Sequence, residues 1–313
     1  MHHLFILNPA AGKADHTAAL RAKIDRAFAG QDYEIAVSKC KGDCTALARA
    51  AAEKGEPVRI YACGGDGTLN EVVCGVVGYP NAAITSLTAG SGNDFVRIFS
   101  DTAPFADPAS FLDTDEAAFD LITCGDGHYS LNVCSIGFDA RIGTQIGRYK
   151  RLPLVTGSGA YVISILVNLI RGVHRPYTIE VGGETIRGEQ SLICICNGRW
   201  YGGGFYPFPD AEPDDGMLDV LIVRGVSRLT VAAVIGKYKA GRWAELPDLI
   251  RHVRCRSIRI IGERDEDINL DGELIYSRDT TFSVADEKIR FFYPKGLTYA
   301  AHAAKKSEPA AAN

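Results

Sequence analysis

The sequence lacks any apolar run of the roughly 18 residues that a membrane-spanning helix needs. Its longest apolar stretch, Ala160–Ile170, is interrupted by serine and asparagine, which indicates a buried or membrane-touching helix. The run Leu4–Leu7 is too short for the apolar region of a signal peptide. We therefore expect a cytoplasmic protein.

An excess of positive charge is also absent. The formal net charge is -4 and the pI is about 6.0. Nucleic-acid-binding domains are usually strongly basic, so we do not expect a nucleic acid as partner. This balance leaves room for a local basic patch that faces an anionic membrane.

The cysteines do not form the pattern of a disulfide scaffold. There are nine, an odd number, and most lie inside apolar runs, which suits reduced and buried thiols. Cys40 and Cys44 are spaced like two metal ligands, but no second Cys/His pair accompanies them. We therefore expect no zinc site.

The 313 residues suffice for two domains. Over the first hundred residues strand-like and helix-like segments alternate, which predicts a parallel sheet covered by helices. The predicted strands are Leu4–Leu7, Tyr33–Ser38, Val58–Cys63 and Ile84–Leu87, and the predicted helices are Asp15–Phe28, Asp43–Glu53 and Leu69–Val77.

After about Phe119 the pattern changes to apolar segments separated by Gly, Asp and Pro, which predicts a mainly antiparallel β domain. The predicted strands are Tyr129–Ile136, Tyr177–Val181, Ser191–Cys196, Leu218–Val223, Ser257–Ile261 and Thr281–Val284, with helices at Tyr161–Arg171 and Thr230–Lys239. We expect domains at 1–120 and 121–287, and a disordered tail at 300–313.

Three polar, glycine-containing loops follow strands of the predicted parallel sheet. We call them loop 1 (Asn8–Lys13), loop 2 (Gly64–Thr68) and loop 3 (Gly90–Phe95). Ligands bind where the loops emerge, at the carboxyl ends of such strands. Backbone N–H groups of Gly, Ser and Thr loops can approach phosphate oxygens closely, although each loop alone would also suit a tight turn.

The loops do not fit the common nucleotide motifs. No G-x-G-x-x-G follows the first strand, and Lys13 lacks the frame of a P-loop. An aspartate in a phosphate-binding loop makes electrostatic sense when a divalent cation accompanies the phosphates. Asp66 in loop 2 and Asp94 in loop 3 therefore indicate Mg²⁺ and ATP.

At loops 2 and 3, with Asn70-Glu71 after loop 2, the chain resembles the diacylglycerol kinase catalytic-domain family. That family includes sphingosine kinases and soluble bacterial lipid kinases and is more distantly related to NAD kinases. Ser91 stands where the family more often has threonine. The resemblance continues through segments of the second domain: Asn132–Ala140, Asn197-Gly198, Gly202–Gly204, Asp214–Leu218 and Asp271–Glu273.

The resemblance implies an amino-terminal Rossmann-like α/β domain, a carboxyl-terminal antiparallel β-sandwich and an active site in the cleft between them. It also implies that the final strand, within 288–299, returns to the first domain. The implied activity is transfer of the γ-phosphoryl group of ATP to a lipid hydroxyl, with diacylglycerol as the first candidate in phospholipid biosynthesis.

The resemblance and the loops together give a set of candidate site residues. The ATP-binding candidates are Asn8, Lys13, Gly64, Gly65, Asp66, Gly67, Thr68, Gly90, Ser91, Asn93 and Asp94. Asp66 and Asp94 would hold the catalytic Mg²⁺, directly or through water. Asp271 is the implied general base, with Glu273 orienting nearby groups. A structural Mg²⁺ would be held by Asp215 and by the backbone carbonyls of Glu212 and Met217.

Several of these assignments have a second interpretation. Asp271-Gly272 and Asp214–Gly216 are also common turn sequences. The second interpretation of Lys13 is a solvated lysine, and that of Glu71 is a cap of the following helix turn. The helix near Tyr161–Ile170, flanked by Arg148, Lys150 and Arg151, suits either a peripheral membrane contact at the inner face or a core helix.

Two other functions compete with lipid phosphorylation. One is an NAD kinase, which Asn70-Glu71 and the Asp271–Glu273 hairpin disfavour; the other is a catalytically silent lipid- or nucleotide-binding relative. The sequence does not identify the acceptor lipid, nor does it decide between a monomer and a homodimer.

Overall fold

The computed structural model describes residues 1–12, 15–90, 92–125, 127–137 and 174–299. The chain forms two compact units. The first contains Met1–Asp120 and the carboxyl-terminal segment that begins at Glu287, and the second is Leu121–Asp286. Among the described residues, no helix is long and apolar enough to cross a membrane.

The first unit is a six-stranded sheet with helices, and strands are numbered along the chain. The sheet order is β2-β1-β3-β4-β15-β5. Strands β1 to β4 pair in parallel, which confirms the predicted α/β class. The bounds are β1 His2–Leu7, β2 Tyr33–Val37, β3 Val58–Gly64, β4 Ala82–Thr88, β5 Thr114–Phe119 and β15 Ile289–Pro294, with α1 Thr17–Ala27, α2 Asp43–Ala52 and α3 Asp66–Val76.

The core of the first unit is rich in aromatic side chains. Tyr61 on β3 stacks on Phe5 of β1 with ring centroids 4.0 Å apart, and Phe28 packs edge-on against Phe5. All three rings are buried. Because β1 and β3 are central strands, this cluster fixes the positions of the strands that lead into loops 1 and 2.

The helix after loop 2 begins earlier than the sequence analysis expected. Helix α3 starts at Asp66 rather than at Leu69, so Gly67 and Thr68 lie in its first turn. Gly65 takes the N-cap position in an extended conformation. A carboxylate in the first helical turn interacts favourably with the helix dipole, which offsets the weak helix propensity of Gly67.

The final strand of the described chain lies in the first sheet. β15 pairs in parallel with β4 and antiparallel with β5. Arg290 on β15 donates from Nε to Oε1 of Glu116 on β5 at 2.7 Å. The sequence analysis did not identify β5, nor the short 3₁₀ helices at Phe95–Ile98, Ala103–Ala106 and Pro108–Phe111.

The second unit is a nine-stranded, antiparallel β structure. Its main path is β12-β11-β10-β8-β13-β14-β6-β7, and β9 pairs with β10 and β13. The bounds are β6 Ile122–Cys124, β7 Tyr129–Ser130, β8 Val133–Gly137, β9 Arg175–Val181, β10 Glu184–Cys196, β11 Leu218–Arg224, β12 Ile250–Cys255, β13 Ser257–Leu270 and β14 Glu273–Val284, with α4 at Arg228–Lys239.

Alternate side chains of the central strand β10 pack into two different hydrophobic clusters. Ile193 and Ile195 belong to one hydrophobic cluster, whereas Cys194 and Cys196 belong to the other. Side chains of a strand point to opposite faces with a period of two, so the strand is covered on both sides. All nine cysteines of the chain are free thiols, and seven of them are buried.

One predicted strand is in fact two. Tyr129–Ile136 divides into β7 and β8, with Leu131 and Asn132 between them. The backbone N–H groups of these two residues bond to the carboxylate of Asp271 rather than to a neighbouring strand. Long-range hydrogen bonds to Asp271 therefore interrupt a segment whose apolar pattern alone predicts a continuous strand.

Some expectations concern residues that the structure does not describe. These are the helix Tyr161–Arg171, the basic residues Arg148, Lys150 and Arg151, the segment Phe138–Ala140, and the tail 300–313. They lie outside the described residues.

Candidate functional site

The three glycine-containing loops come together in the first unit. Asn8 of loop 1 donates from Nδ2 to the hydroxyl oxygen of Thr68 in loop 2 at 2.9 Å. A Cβ placed on Gly12 would lie 2.8 Å from the carbonyl oxygen of Ala89, directly before loop 3. Because parallel strands end at the same sheet edge, their following loops converge as the sequence predicted.

Loops 2 and 3 touch through glycine backbones. The carbonyl oxygen of Gly64 accepts hydrogen bonds from the N–H groups of Ala89 and Gly90 at 2.9 and 3.1 Å. A Cβ on Gly90 would lie 2.5 Å from the α-carbon of Gly65. A side chain at Gly90 would therefore push the loops apart, which explains glycine at this crossing.

The start of α3 offers donors for an anion. The first N–H groups of a helix have no partner within the helix, and the dipole there favours negative charge. Gly67 occupies this first turn and is exposed, whereas Thr68 is buried and its hydroxyl is engaged by Asn8. Asn8 Oδ1 also accepts from the N–H of Ala10 at 3.0 Å. The Asn8 and Thr68 side chains thus connect loops 1 and 2.

Asp66 fastens loop 3 to the start of α3. Its Oδ1 accepts hydrogen bonds from the N–H groups of Asp94 and Phe95 at 2.6 and 3.3 Å. Burial raises the pKa of Asp66 above its usual value, and the backbone N–H donors oppose that rise only in part. A carboxylate held in an environment that disfavours its charge is typical of functional sites.

A second carboxylate lies beside Asp66. A Cβ on Gly92 would lie 2.7 Å from Asp66 Oδ2 and 3.5 Å from Asp94 Oδ2, so both oxygens border the same small space. Asp94 is buried, and Arg97 places its Nε 3.5 Å from Asp94 Oδ1. Arg97 also donates from its guanidinium to the carbonyl oxygen of Gly92 at 3.1 Å, which ties this cation to loop 3.

The side chains of Asp66, Asp94 and Asn93 are suited to binding a nucleotide together with Mg²⁺. Mg²⁺ is usually bound by one or two carboxylates together with phosphates and water, and Asp66 and Asp94 supply two. Among the residues that the structure describes, no three His, Cys, Asp or Glu side chains are arranged as a metal site. Asn93 Oδ1 is buried and meets no donor within the described part of the chain, so it can accept a hydrogen bond from a ligand.

The structure does not place three other candidates of the first unit, Lys13, Ser91 and Glu71, in the cluster formed by the loops. Lys13 and Ser91 lie outside the described residues. Glu71 accepts from the N–H of Cys44 through Oε2 at 3.2 Å, and its carbonyl oxygen accepts from Thr45 Oγ1 at 2.8 Å. Its carboxylate therefore caps the first turn of α2.

In the second unit, Asp271 anchors the hairpin between β13 and β14. Its Oδ2 accepts hydrogen bonds from Ser130 Oγ and the Leu131 N–H, both at 2.8 Å, and from the Asn132 N–H at 3.0 Å. Its Oδ1 accepts from the Val133 N–H at 2.8 Å. Three donors therefore converge on Oδ2 and one on Oδ1, and together they hold the carboxylate in the hairpin.

The Asp271 hairpin gathers two other motif segments of the second unit, those of Asn132 and of Asn197-Gly198. The carbonyl oxygen of Asn132 accepts from the N–H groups of Asn197 and Gly198 at 2.9 and 3.0 Å. A Cβ on Gly198 would lie 2.0 Å from Asn132 Oδ1, so only glycine fits. Glu273 starts β14, two residues beyond Asp271. Three segments that are far apart in the sequence therefore form one polar cluster.

The Asp215 carboxylate has protein partners where the sequence predicted a structural Mg²⁺. Asp215 Oδ1 accepts from the N–H of Met217 at 2.9 Å, so Met217 presents a donor to it. Its Oδ2 forms an ion pair with Arg254, whose Nε is 3.6 Å from Asp219 Oδ1. Both carboxylate oxygens of Asp215 thus have partners, one of them cationic. For Asp215 these contacts favour a turn with an internal counter-ion. They involve neither the Glu212 nor the Met217 carbonyl oxygen, so those two ligands stay predictions.

We expect the melting temperature of Asp215→Ala to rise with Mg²⁺ concentration as steeply as that of the wild type. Any Mg²⁺ that binds only the folded protein stabilises it in a concentration-dependent way, and here that ion would bind at Asp66 and Asp94. Thermal melts of both proteins across a Mg²⁺ series test this expectation. A flatter rise in Asp215→Ala would show that Asp215 holds a cation after all.

The structure adds residues that sequence reasoning missed. Ser130 donates to Asp271, Arg97 pairs with Asp94, and Arg254 pairs with Asp215. Arg199 is buried and donates from Nε to the carbonyl oxygen of Ala211 at 2.8 Å. Arg97, three residues after Asp94, had a local signal; Ser130 and Arg254 lie too far along the chain from their partners to give one.

Comparisons with known proteins agree with this organisation. Residues 2–124 match the model of the family described as "Diacylglycerol kinase catalytic domain". Residues 132–293, more than half of the chain, match the "YegS C-terminal NAD kinase beta sandwich-like domain".

Similar proteins cover nearly the whole chain. A Chromohalobacter salexigens protein named "Probable lipid kinase YegS-like" is 29% identical over 303 residues, which are 93% of this chain and 94% of that protein. A Pseudomonas aeruginosa protein of the same name is 28% identical over 289 residues, which are 91% of this chain and 92% of its own length.

Two solved structures share the fold. A diacylglycerol kinase from Bacillus anthracis has a TM-score of 0.68 at 21% identity and aligns over 95% of this chain and 98% of its own. An NAD kinase from Archaeoglobus fulgidus in complex with ATP has a TM-score of 0.53 at 12% identity, over 94% of each chain.

The family matches account for both units, and the resemblance expected from the loop and hairpin motifs is confirmed. The chain therefore belongs to the YegS-type lipid kinase family: its second domain is of the YegS NAD kinase-like β-sandwich type, and its first domain matches the diacylglycerol kinase catalytic domain.

Proposed function

We propose that the protein transfers the γ-phosphoryl group of ATP to the primary hydroxyl of diacylglycerol, which yields phosphatidic acid. The observation that carries this proposal is the convergence of loops 1, 2 and 3 with Asp66 and Asp94 beside them. Phosphoryl transfer depends mainly on positioning and on charge neutralisation, and this arrangement supplies groups for both.

In this proposal the nucleotide lies against the loop backbones. The N–H groups at the start of α3, including that of Gly67, would bind phosphate oxygens. Gly65 and Gly90 keep the two loops close enough to share the nucleotide. Asn93 Oδ1 would accept a hydrogen bond from it. Asn8 and Thr68 would keep loops 1 and 2 in register rather than contact phosphate themselves.

Asp66 and Asp94 are the residues that would hold Mg²⁺. When bound, the ion would neutralise the negative charge on the phosphates that grows during transfer. Asp66 has a second task, since its Oδ1 keeps loop 3 against α3 while Oδ2 borders the space beside Gly92. Lys13 and Ser91 remain predictions from the sequence for the same nucleotide.

Asp271 is proposed as the general base that accepts the proton of the lipid hydroxyl. A base needs an available lone pair, and four donors surround this carboxylate. Three of them are backbone N–H groups, fixed by the chain, while the fourth is the Ser130 hydroxyl, which rotates about its side-chain bond. In this proposal Ser130 is therefore the donor that can turn away from Oδ2 when the acceptor binds.

The names of the relatives support a lipid as the acceptor. Their names describe lipid kinases, and diacylglycerol is the substrate for which the matching family is named. ATP is a cytoplasmic donor and the acceptor is a bilayer lipid, so we expect the reaction at the inner face of the membrane.

A panel of acceptors tests this proposal. Purified protein is incubated with radiolabelled ATP, Mg²⁺ and, in separate mixed-micelle reactions, diacylglycerol, phosphatidylglycerol, ceramide and a sphingoid base; NAD⁺ is tested in solution. We expect label in phosphatidic acid and the highest kcat/KM for diacylglycerol. Preferred labelling of another lipid would replace the acceptor, and labelling of NAD⁺ alone would replace the function.

A further inference from the structure

Helix α4 of the second unit exposes an unusual face. Its exposed residues are Arg228, Leu229, Ala232, Ala233, Gly236 and Lys239. Leu229 is 83% exposed, the largest value among the exposed large hydrophobic side chains of the described chain. The solvent side of an ordinary surface helix carries charged and polar side chains of both signs. The α4 face instead carries only small or apolar residues and two cations.

The charge around α4 also differs from that of the whole chain. Residues 220–244 contain five Lys or Arg residues and no Asp or Glu, although the chain has a net charge of -4. Glu245, which follows this segment, pairs with Lys237 at 3.0 Å and Arg242 at 3.3 Å. It therefore balances Lys237 of α4 and Arg242 beyond the end of the helix, while Arg228 and Lys239 lie on the exposed α4 face, where Lys239 Nζ is 5.5 Å from the centre of the Phe205 ring.

The opposite side holds α4 firmly in the unit. Val231 and Tyr238 are buried, and the Tyr238 hydroxyl lies 3.0 Å from that of Tyr201. The side chain of Ser227 caps the helix by accepting from the N–H of Thr230 at 3.1 Å. The exposed face is thus presented by a capped and anchored helix, not by a loose segment.

We propose that the α4 face docks the protein on an anionic lipid bilayer. Leu229 would insert among the acyl chains near the headgroups, while Arg228 and Lys239 bind lipid phosphates. A leucine flanked by cations on a helix without acids has the chemistry of an interfacial helix. This inference rests on the proposed function, since a kinase whose acceptor is a membrane lipid must reach the bilayer surface.

A second copy of the chain fits the same face less well. Ala232, Ala233 and Gly236 would allow two helices to approach closely. A two-fold antiparallel pair of α4 helices would, however, place Arg228 of each copy near the Lys239 end of the other, so like charges would meet. An anionic surface removes this repulsion and offers both cations an opposite charge.

Vesicle binding by matched variants tests the proposal. The probes are phosphatidylcholine vesicles with and without phosphatidylglycerol, and the proteins are wild type, Leu229→Ser, the pair Arg228→Gln/Lys239→Gln, and the control pair Arg187→Gln/Arg278→Gln. Arg187 and Arg278 are exposed cations of the same unit outside α4. The control pair makes the same change in net charge.

We expect the α4 cation pair to weaken binding to anionic vesicles by about 30-fold, which corresponds to about 1 kcal/mol for each basic residue. Leu229→Ser should weaken it by about tenfold or more, also at high salt, because it removes apolar burial. The control pair should bind like the wild type. Melting temperatures should stay unchanged, since the altered side chains lie on the exposed face.

Three results would overturn the inference. They are unchanged vesicle binding by both α4 variants, an equal loss in the control pair, or a wild-type dimer in sedimentation that Leu229→Ser converts to monomer. Phosphorylation of a short-chain, water-soluble diacylglycerol separates this inference from the proposed function. We expect the α4 variants to phosphorylate the short-chain diacylglycerol as the wild type does. A wild type that fails to phosphorylate it would contradict the proposed function, whereas the docking inference would still be decided by the vesicle binding.

Discussion

Asp66→Asn is expected to lower phosphoryl transfer by roughly 10²–10³-fold, the usual loss when a group that stabilises transition-state charge is removed. The substitution removes the negative charge that would hold Mg²⁺ but keeps an oxygen that can accept from Asp94 and Phe95. Loop 3 should therefore stay in place. The measurement is steady-state lipid phosphorylation at saturating ATP and Mg²⁺, with Mg²⁺-dependent ATP binding measured on the same protein.

Asp66→Ala is the matched variant, because it removes both the charge and the oxygen that holds loop 3. If Asp66 acts through its charge, the asparagine and alanine variants should be about equally inactive. If Asp66 only anchors loop 3, the asparagine variant should retain most activity and only the alanine variant should fail. Near-wild-type turnover by Asp66→Asn would remove the carboxylate charge from the mechanism.

Asp66→Asn should lower activity but should not lower the stability of the folded protein. Burial raises the pKa of Asp66 in the folded protein. Below the unfolded-state pKa this carboxyl is protonated in both states, and the stability linked to its protonated form is fully present. As the pH rises through the folded-state pKa, that stability is lost, because the unfolded state releases the proton more easily. At about pH 7 the ionised group costs stability that asparagine does not. We expect Asp66→Asn to melt at the same or a higher temperature there, with an advantage that shrinks in acid.

Asp271→Asn is the second substitution with a large expected effect. If Asp271 is the general base, turnover should fall by roughly 10²–10⁴-fold. If Asp271 were only a turn residue, as its sequence also allows, asparagine would be expected to preserve the fold. The structure corrects that expectation: the new amide NH₂ would face either the Val133 N–H or the three donors on Oδ2. We therefore also expect a loss of about 1–3 kcal/mol in the free energy of unfolding.

Ser130→Ala separates the chemical role of Asp271 from its structural one. This variant removes one donor from the same carboxylate and keeps the carboxylate itself. If Asp271 is the base, Ser130→Ala should keep turnover near the wild-type value, because a lone pair is freed. Both variants should be assayed well below their melting temperatures, and both should keep their affinity for ATP and Mg²⁺, since the nucleotide loops belong to the other unit.

Two patterns would contradict this assignment. Activity of Asp271→Asn close to that of the wild type would make Asp271 a hairpin anchor only. A parallel loss of activity and stability in both variants would have the same meaning, because weakening the hydrogen-bond set would then suffice to explain it.

The sequence predicted the nucleotide loops because their placement follows from topology. Short apolar strands that alternate with helices form a parallel sheet, and the loops after β1, β3 and β4 must then emerge at one edge. Glycine and aspartate in those loops indicated phosphate and Mg²⁺. No contact between side chains was needed for that inference, and the contacts of Asn8, Gly65 and Gly90 agree with it.

The division of labour among the side chains was not predictable in the same way. Whether Thr68 contacts phosphate or Asn8 depends on where α3 begins, and helix boundaries depend on capping geometry more than on propensity. Glu71 likewise follows a phosphate motif in sequence, yet the packing of α2 on α3 directs its carboxylate to Cys44.

Contacts across the β domain were also beyond the sequence. Asp271 meets residues about 140 positions earlier, and Asp215 meets Arg254, 39 positions later. Such partners are brought together by strand register, which a periodic pattern does not specify. Two turn-like sequences therefore proved to hold a buried hydrogen-bond set in one case and an ion pair in the other.

Phosphate transfer to diacylglycerol itself tests the central claim most directly. The wild type and Asp66→Asn are incubated with diacylglycerol in mixed micelles, Mg²⁺ and ATP labelled in either the γ- or the α-phosphate, and the lipid fraction is analysed. The account predicts that the wild type forms phosphatidic acid labelled from γ-ATP but not from α-ATP, and that Asp66→Asn forms almost none. Unlabelled lipid from a folded wild type that binds ATP, or equal product from both proteins, would contradict it.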